Sequence, residues 1–510
     1  CNMNRSLIYI CLVGALTISL VPHTTLASSA CEKRANNTQQ KLMECVTLEG
    51  VREHQAAFQA IADANNGIRS SGTPGYDASA DYVVQRMEAA GYNVTVQPFQ
   101  FNAFVQLGPS TLEQTSPGTV TYVENTDYNL MSQTDPGDVT GLVTSIDLDL
   151  GLGNISTSGC EAADFTGFPP GDIALIQRGA CTFQLKAENA AAAGAVGAII
   201  FNQGNTTDRF NLINGTLSSN YSGGIPVFFA TYDRGVEWDG TPGLELHMVA
   251  DVFRGEATTY NVLAESTAGN ENNVIMVGAH LDSIDRGPGI QDNGSGSAAI
   301  LEVAEQMAMV RPRNKVRFAW WGAMEQGLIG SDFYVFGLSD DERDKIALYL
   351  NFDRIGSPNF VRFVYDGDGS AFGLAGPDGS DVIEAFFEDY YAGRGLAFEP
   401  TQISFRSDYA AFFDSGIPFG GVFTGSEGIK TPEQAAIYGG TAGEQYDPCF
   451  HLACDTFDNI SLEVLDQNTD AAAAATLQYA MSTEEVNEVK GKGNFKSTMK
   501  SENHSRMEEQ

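Results

Sequence analysis

A chain of 510 residues is long enough for two or three domains, and 43% hydrophobic with 18% charged residues is the composition of a globular protein with a large core. The formal net charge of −36 repels the phosphates of nucleic acids and the headgroups of anionic lipids. The charge therefore argues against nucleic acid as a partner.

The first thirty residues have the order of a secretory signal peptide, with Arg5 before an apolar run over residues 7–21 and small residues up to Ala30. A transmembrane helix needs about 20 apolar residues. This run is shorter and the sequence has no second one, so no transmembrane segment is expected. We predict a protein that is secreted or exported to the periplasm, with residues 1–30 removed. A lipoprotein beginning at Cys31 is the alternative, to which Ser28 is a poor fit.

Six cysteines follow the signal segment and form three pairs that are close in sequence: Cys31, Cys45, Cys160, Cys181, Cys449 and Cys454. Pairing of neighbours would close short loops, each of which stabilises the fold by about 2–4 kcal/mol. The paired short spacings of a zinc finger are absent from the sequence. The pattern predicts disulfides formed in an oxidising compartment.

Helical and strand patterns alternate through most of the chain. Apolar residues at helical spacing, among them Val83 and Met87, predict a helix, and the alternation over residues 94–101 predicts a strand after it. Apolar runs alternate with helical patterns again in residues 253–480. Such alternation predicts an α/β fold in which helices cover a mixed, mostly parallel sheet.

Two segments differ from this alternation of helical and strand patterns. Residues 137–252 contain short β-rich pieces, many glycines and one alanine-rich helix, which predicts a domain inserted between residues 31–136 and 253–480. Residues 481–510 are polar and charged with almost no aliphatic periodicity, and we predict that they form a disordered tail.

Histidines and acidic residues follow several of the apolar runs. The carboxyl ends of parallel strands meet at the edge where open α/β sheets bind ligands, so these side chains are expected to share one site. Zinc accepts neutral imidazole and carboxylate oxygen, and two zinc ions can share a bridging carboxylate. The predicted ligands of a two-zinc site are His280, Asp292, Glu325, Asp353 and His451.

Two of the acidic residues have distinct predicted roles. Asp292 precedes a helix that begins near residue 294, and the positive end of that helix would help to hold its charge, so Asp292 is the predicted bridging ligand. Asp282 follows His280 by two residues and is better placed to accept its ring N–H than to bind metal. Each residue alone is more often structural, and only the combination indicates a metal site.

The sequence resembles the secreted two-zinc aminopeptidases of the aminopeptidase S and aminopeptidase Y type. The resemblance extends from Val46 to Tyr479 and rests on five ordered segments, which are residues 278–302, 318–331, 349–359, 405–418 and 447–456. Residues 171–203 similarly resemble a protease-associated domain. In such families that domain lies beside the catalytic cleft, where it either shapes substrate access or is a passive insert.

The resemblance implies a zinc-peptidase fold and removal of N-terminal residues from peptides. It also implies that His280 and Asp353 hold one zinc ion, that Glu325 and His451 hold the other, and that Asp292 lies between them.

The sequence departs from the family pattern at two positions. Members usually read Trp-Gly-Ala-Glu-Glu, with a general base followed by a zinc ligand, and here that pair is Met324 and Glu325. A thioether cannot accept a proton, and loss of a positioned base typically costs about 10²–10⁴-fold in rate. Phe450 replaces a tyrosine whose hydroxyl steadies the oxyanion, at a typical cost of about 10²–10³-fold. Shifting the register by one residue would leave neutral Gln326 as the ligand, so one carboxylate is missing either way.

Arg406 matches the family's substrate-contacting arginine, which suits a peptide carbonyl or carboxylate. A surface arginine paired with Asp408 is the alternative.

The sequence thus favours an exported zinc metallo-aminopeptidase of much reduced activity, and the alternative function is a zinc-binding pseudoenzyme that binds peptides or a protein partner. A glutaminyl-cyclase-like transferase also needs an acidic proton shuttle at position 324, and carboxypeptidases with a protease-associated domain match the short segments less well.

Overall fold

The computed structural model describes residues 31–487 except residues 32, 207, 208 and 219. The predicted signal peptide and the last 23 residues, 488–510, lie outside the described residues. Among the helices that the structure describes, none has the length and apolar character needed to cross a bilayer.

Sixteen strands are found in the described residues. In chain order they are β1 (Asn93–Gln106), β2 (Thr111–Ser116), β3 (Val120–Thr121), β4 (Tyr128–Leu130), β5 (Gly137–Ile146), β6 (Ile173–Gln177), β7 (Gly197–Phe201), β8 (Val227–Ala230), β9 (Glu245–Ala250), β10 (Val252–Glu265), β11 (Asn270–His280), β12 (Asn314–Trp321), β13 (Ile346–Phe352), β14 (Phe363–Tyr365), β15 (Glu399–Thr401) and β16 (Phe419–Phe423).

Thirteen α-helices and one 3₁₀ turn (Ala162–Phe165) accompany these strands in the same residues. The helices are α1 (Gln39–Met43), α2 (Leu48–Ala64), α3 (Pro74–Ala89), α4 (Phe183–Ala192), α5 (Tyr232–Asp239), α6 (Gly294–Met307), α7 (Ile329–Gly337), α8 (Asp340–Arg343), α9 (Ser380–Ala392), α10 (Tyr409–Asp414), α11 (Pro432–Tyr438), α12 (Leu462–Met481) and α13 (Glu484–Asn487).

The first sheet has the strand order β1-β10-β12-β11-β13-β16-β14-β15. Its centre is parallel, because β11 pairs in parallel with β12 and β13, and β13 with β16, while β1, β10 and β14 add antiparallel pairs. Alternate residues of β11 enter different cores: Ile275 and Val277 pack with α2, α3, α6 and α12, whereas Val274 and Met276 pack with α7 and α10. The predicted mixed, helix-covered α/β sheet is therefore confirmed, and burial on both faces explains the continuous apolar run of β11.

The second sheet has the order β3-β2-β9-β5-β6-β7-β8-β4 and its own apolar cores. It begins at Thr111, so β2, β3 and β4 precede the boundary that the sequence pattern placed at residue 137. The reason is non-local, because β2 completes the sheet by pairing antiparallel with β9. A long antiparallel ribbon, in which β1 pairs with β10 from Asn93 opposite Glu265 to Gln106 opposite Val252, leads from the first sheet to this domain.

The predicted disordered tail is wrong for residues 481–487. α12 extends to Met481, and α13 follows with Val486 buried. The side-chain amide of Asn273 in β11 donates to Thr483 Oγ1 at 2.8 Å, and Asn487 Nδ2 donates to Asn273 Oδ1 at 3.0 Å. This segment is therefore held to the sheet by buried polar contacts, which apolar periodicity does not reveal.

The expected disulfides are present. They join Cys31 to Cys45, Cys160 to Cys181, and Cys449 to Cys454. The third joins two cysteines with a sequence separation of 5 and so closes a short loop. This loop contains His451, one of the predicted metal ligands.

Candidate metal centre

The five predicted ligands come from five places in the sequence and meet at the carboxyl edge of the parallel strands. His280 is the last residue of β11, Asp353 directly follows β13, and Glu325 lies in the turn after β12. Asp292 lies just before α6, whose N-cap is Asn293. His451 reaches the same place from the loop closed by the third disulfide.

The distances within this group pair each histidine with two carboxylates. His280 Nε2 lies 3.3 Å from Asp292 Oδ1 and 3.3 Å from Asp353 Oδ1. His451 Nε2 lies 3.3 Å from Asp292 Oδ2 and 3.2 Å from Glu325 Oε2. The two oxygens of Asp292 therefore face different histidines, which is the arrangement of a carboxylate that bridges two cations.

Most of these donor atoms have no hydrogen-bond partner although they are buried. The unpartnered atoms are His280 Nε2, Asp292 Oδ1 and Oδ2, Glu325 Oε1 and Asp353 Oδ1. A buried polar group without a partner costs about 1–3 kcal/mol, and more when it is charged. Imidazole nitrogen and carboxylate oxygen together are a zinc donor set. Cations bound here would therefore provide a partner for each of these unpartnered atoms.

The carboxylates shift the pKa of both histidines upward. Burial by itself lowers the pKa of His451, but Glu325 and Asp292 outweigh burial and raise that pKa to about 10. The pKa of His280 is likewise raised well above its ordinary value, because the attraction of the neighbouring carboxylates, chiefly Asp353, exceeds the effect of burial. Protons therefore compete with metal cations for these imidazoles as the pH falls.

The carboxylate of Asp282 has a role that the sequence did not reveal. It accepts hydrogen bonds from the backbone N–H of Met324 and of Glu325, each at 3.2 Å. The ring atom His280 Nδ1 lies 3.1 Å from the main-chain carbonyl of Asp282 and 3.6 Å from its Oδ1. Asp282 thus orients His280 mainly through its backbone, and its side chain fixes the turn that presents Glu325.

Asp353 is oriented by the side chains of Arg354 and Ser407, and sequence reasoning missed the second of them. Its Oδ2 accepts from Arg354 Nη2 at 2.7 Å and from Ser407 Oγ at 2.8 Å, which leaves Oδ1 directed at His280. Asn351 Nδ2 donates to Ser407 Oγ at 2.9 Å and so fixes that hydroxyl. The proximity of Arg354 to Asp353 in sequence was a signal, whereas the contribution of Ser407 depends on the tertiary fold.

The segment with Asp292 is held by buried polar contacts as well. Asp455 accepts from the backbone N–H of Gln291 at 2.7 Å and of Asp292 at 2.9 Å. The guanidinium of Arg69 is buried and donates to the carbonyls of Pro288 and Gly289 at 2.9 and 2.7 Å. These contacts hold the Asp292 segment in place.

Met324 lies in an apolar environment beside the cluster. The residue is 8% exposed, and its side chain packs with Leu328, Ala410 and Phe405. Gln326 Nε2 donates to Ser70 Oγ at 2.9 Å. The carboxylate that meets His451 is that of Glu325.

Phe450 and Arg406 border the cluster. The Phe450 ring stacks on the His451 ring at 3.8 Å between centroids and 23° between planes, and it offers no hydrogen-bond donor. Arg406 Nη1 pairs with Glu427 Oε1 at 2.5 Å. Arg406 thus lies at the surface, as in the alternative interpretation, with its side chain 42% exposed, but its ion-pair partner is Glu427 and not Asp408.

A cavity of about 250 Å³ opens beside these residues. Arg354, Arg406 and Glu427 contribute charge to its wall. Polar side chains and glycines line it as well, together with five aromatic residues, Phe363, Tyr365, Tyr409, Phe423 and Tyr446. A cavity of this kind can take an apolar side chain while its charged rim binds polar backbone groups.

Comparisons with known proteins agree with this architecture. Residues 261–476 match the model of Peptidase family M28, and residues 142–238 match the PA domain model. An aminopeptidase of Pseudomonas aeruginosa is 58% identical over 447 residues, which is 88% of this chain and 83% of that protein. Leucine aminopeptidase 2 of Arthroderma otae is 38% identical over 451 residues, covering 88% and 86%.

Solved structures give the same result. An aminopeptidase from Aneurinibacillus sp. strain AM-1 superposes with a TM-score of 0.60 at 26% identity, covering 86% of this chain and 96% of that one. BSAP, a zinc aminopeptidase from Bacillus subtilis, superposes with a TM-score of 0.61 at 25% identity, covering 85% and 95%. The chain therefore belongs to peptidase family M28. It carries a PA domain in addition to the peptidase domain.

Proposed function

We propose that this protein is an exported zinc metallo-aminopeptidase that uses two zinc ions and turns over slowly. The observation that carries the proposal is the placement of the two Asp292 oxygens, each 3.3 Å from a different histidine. In this proposal His280 and Asp353 hold one ion and Glu325 and His451 hold the other. Bound zinc would supply Lewis-acid polarisation of the scissile carbonyl.

The protein's own residues account for substrate placement. The guanidinium of Arg406, which Glu427 orients, contacts a substrate carbonyl, and the neighbouring cavity with its five aromatic residues receives the N-terminal side chain. Arg354 holds Asp353 in place and so keeps the ligand geometry fixed when substrate enters. Peptides are the proposed substrates. The inserted domain either shapes access to this cleft or serves only as a structural insert.

Slow turnover follows from Met324. Its thioether cannot take a proton from the attacking water or pass one to the leaving amine, and Leu328, Ala410 and Phe405, which pack with it, are apolar. Export is supported by the signal-like order of residues 1–30 and by the three disulfides, which are typical of proteins in oxidising compartments.

The decisive experiment compares hydrolysis of leucine 4-nitroanilide by the zinc-loaded wild type with that by Met324→Glu. Met324→Gln is the matched control, because it has similar size and polarity to glutamate but no basic carboxylate. We expect Met324→Glu to raise kcat by about 10²-fold or more and Met324→Gln to leave it low. Fast hydrolysis by the wild type, abolished by a chelator, would show that another group transfers the proton.

A second candidate function is a zinc-binding pseudoenzyme that holds peptides or a protein partner in the cleft. The observation that favours it is the combination of an apolar position 324 with the donor-free ring of Phe450 over His451. Calorimetric binding of an intact peptide with a free N-terminus, without any cleavage product by mass spectrometry, is the result expected for it.

A further inference from the structure

A second group of metal-binding side-chain types lies between helices α2, α3 and α6. His54 on α2 and Glu302 and Glu305 on α6 each bring one ligand-type atom to within 4.8 Å of the others. The two glutamates are three residues apart and therefore share one face of α6. At about 1.5 Å per residue, Glu302 lies roughly 12 Å along the helix from Gly294, away from the centre at its N-terminus.

His54 presents an unpartnered nitrogen to this group. The residue is completely buried, its Nδ1 lies 2.8 Å from Tyr82 Oη, and its Nε2 has no hydrogen-bond partner. Nε2 lies 3.9 Å from Glu305 Oε2. Burial and the charge of Arg86 lower the pKa of His54 to about 3, so the imidazole is neutral at ordinary pH and able to act as a ligand.

Glu302 is a buried carboxylate with few contacts that would stabilise its charge. It is 3% exposed, and burial raises its pKa to about 7. Its Oε1 accepts from the backbone N–H of Thr47 at 3.1 Å, at the N-terminus of α2. Gln306 Nε2 donates to the same oxygen at 3.4 Å, and no cationic side chain pairs with Glu302 among the described residues.

The surrounding charges leave an excess of negative charge. Arg86 pairs with Glu305 through Nε and Nη2, and its Nη1 binds Glu53 at 2.9 Å. Glu305 and Glu53 thus share one guanidinium, Glu302 has no cationic partner among the described residues, and His54 is neutral. The Glu305 side chain is 18% exposed, so the group is accessible to ions from solvent on that side.

We propose that His54, Glu302 and Glu305 form a structural binding site for a divalent cation of the zinc or manganese class. One imidazole nitrogen and two carboxylates favour these ions, whereas calcium and magnesium prefer oxygen ligands alone. The cation joins α2 to α6 and neutralises the buried charge of Glu302. It has no contact with the substrate cleft.

The test measures zinc bound per protein by mass spectrometry after dialysis in a zinc buffer. The variants are His54→Gln and Glu302→Gln; the second keeps an oxygen that can accept from the Thr47 N–H. Glu53→Gln is the matched control, because Glu53 binds Arg86 without belonging to the site. We expect each site variant to bind about one zinc fewer than the wild type and the control to bind the same amount.

Equal zinc content in the wild type and in folded site variants, with circular dichroism as the check of folding, would overturn the proposal. A second measurement needs no variant. Crystals of the full protein soaked in zinc chloride should show anomalous difference density at the zinc edge beside His54 Nε2. Absence of that density, with density present at the centre around Asp292, would equally overturn it.

Discussion

The imidazole of His451 is covered by the ring of Phe450, with 3.8 Å between the ring centroids. A hydroxyl added to that ring would add a hydrogen-bond donor beside the cluster without loss of the stacking. We expect Phe450→Tyr to raise kcat about tenfold or more, because the tyrosine hydroxyl would restore a hydrogen-bond donor to the oxyanion. Initial rates with leucine 4-nitroanilide check this, preferably in the Met324→Glu background, where proton transfer no longer limits the rate. Phe450→Leu, which keeps an apolar side chain without a ring, serves as the control and should give no gain.

Asp282 should be a positioning residue whose loss weakens metal binding. Its carboxylate fixes the backbone N–H groups of Met324 and Glu325, so Asp282→Asn leaves one of them without an acceptor. We expect zinc affinity to fall about 10–100-fold, the usual effect of removing a group that orients a ligand. Competition with a fluorescent chelator measures this affinity. An unchanged affinity in Asp282→Asn would contradict the role given to this carboxylate.

Metal removal should destabilise the protein. Without a cation, five donor atoms at the centre remain buried and unpartnered, and a ligand that binds only the folded state stabilises it by about 4 kcal/mol at a thousandfold excess over Kd. We expect Tm to fall on chelation and to recover when zinc is added back. Asp292→Asn should show a much smaller zinc-dependent change in Tm, and an equal change would place the stabilising ions elsewhere.

Asp408 should make the stability of the metal-free protein depend on pH. Its carboxyl is buried, and burial raises its pKa to about 7. In the unfolded chain it ionises near pH 4, so its contribution to the free energy of unfolding decreases as the pH rises from about 4 to about 7 and stays low above that range. We expect Asp408→Asn, which cannot ionise, to be stabilised relative to the wild type by a few kcal/mol at pH 8 but not at pH 4. Urea unfolding at the two pH values measures the difference, and a difference independent of pH would contradict it.

Local sequence patterns were sufficient for the sheet and for the choice of ligand candidates. The run that ends at His280 is apolar on both faces, as a central parallel strand requires, and such strands deliver their last residues to one edge. The same logic identified Asp353 after β13. Close spacing likewise indicated the disulfide that encloses His451.

Other features depend on contacts between distant parts of the chain. The start of the insert at Thr111 is set by the pairing of β2 with β9, and the order of residues 481–487 is set by hydrogen bonds to Asn273. Ser407 holds Asp353 across 54 positions, and Arg406 pairs with Glu427 rather than Asp408.

The sequence by itself determined which residue types follow each strand, and therefore the α/β class, the candidate ligands and the absence of a carboxylate at Met324. Only the tertiary structure decided which oxygen of Asp292 faces which histidine and how Asp282 fixes the turn before Glu325. The physical reason is the separation along the chain of the residues that interact. Strand and helix periodicity follow from residues a few positions apart, whereas the direction of a lone pair is set by packing between elements that meet only in the folded chain.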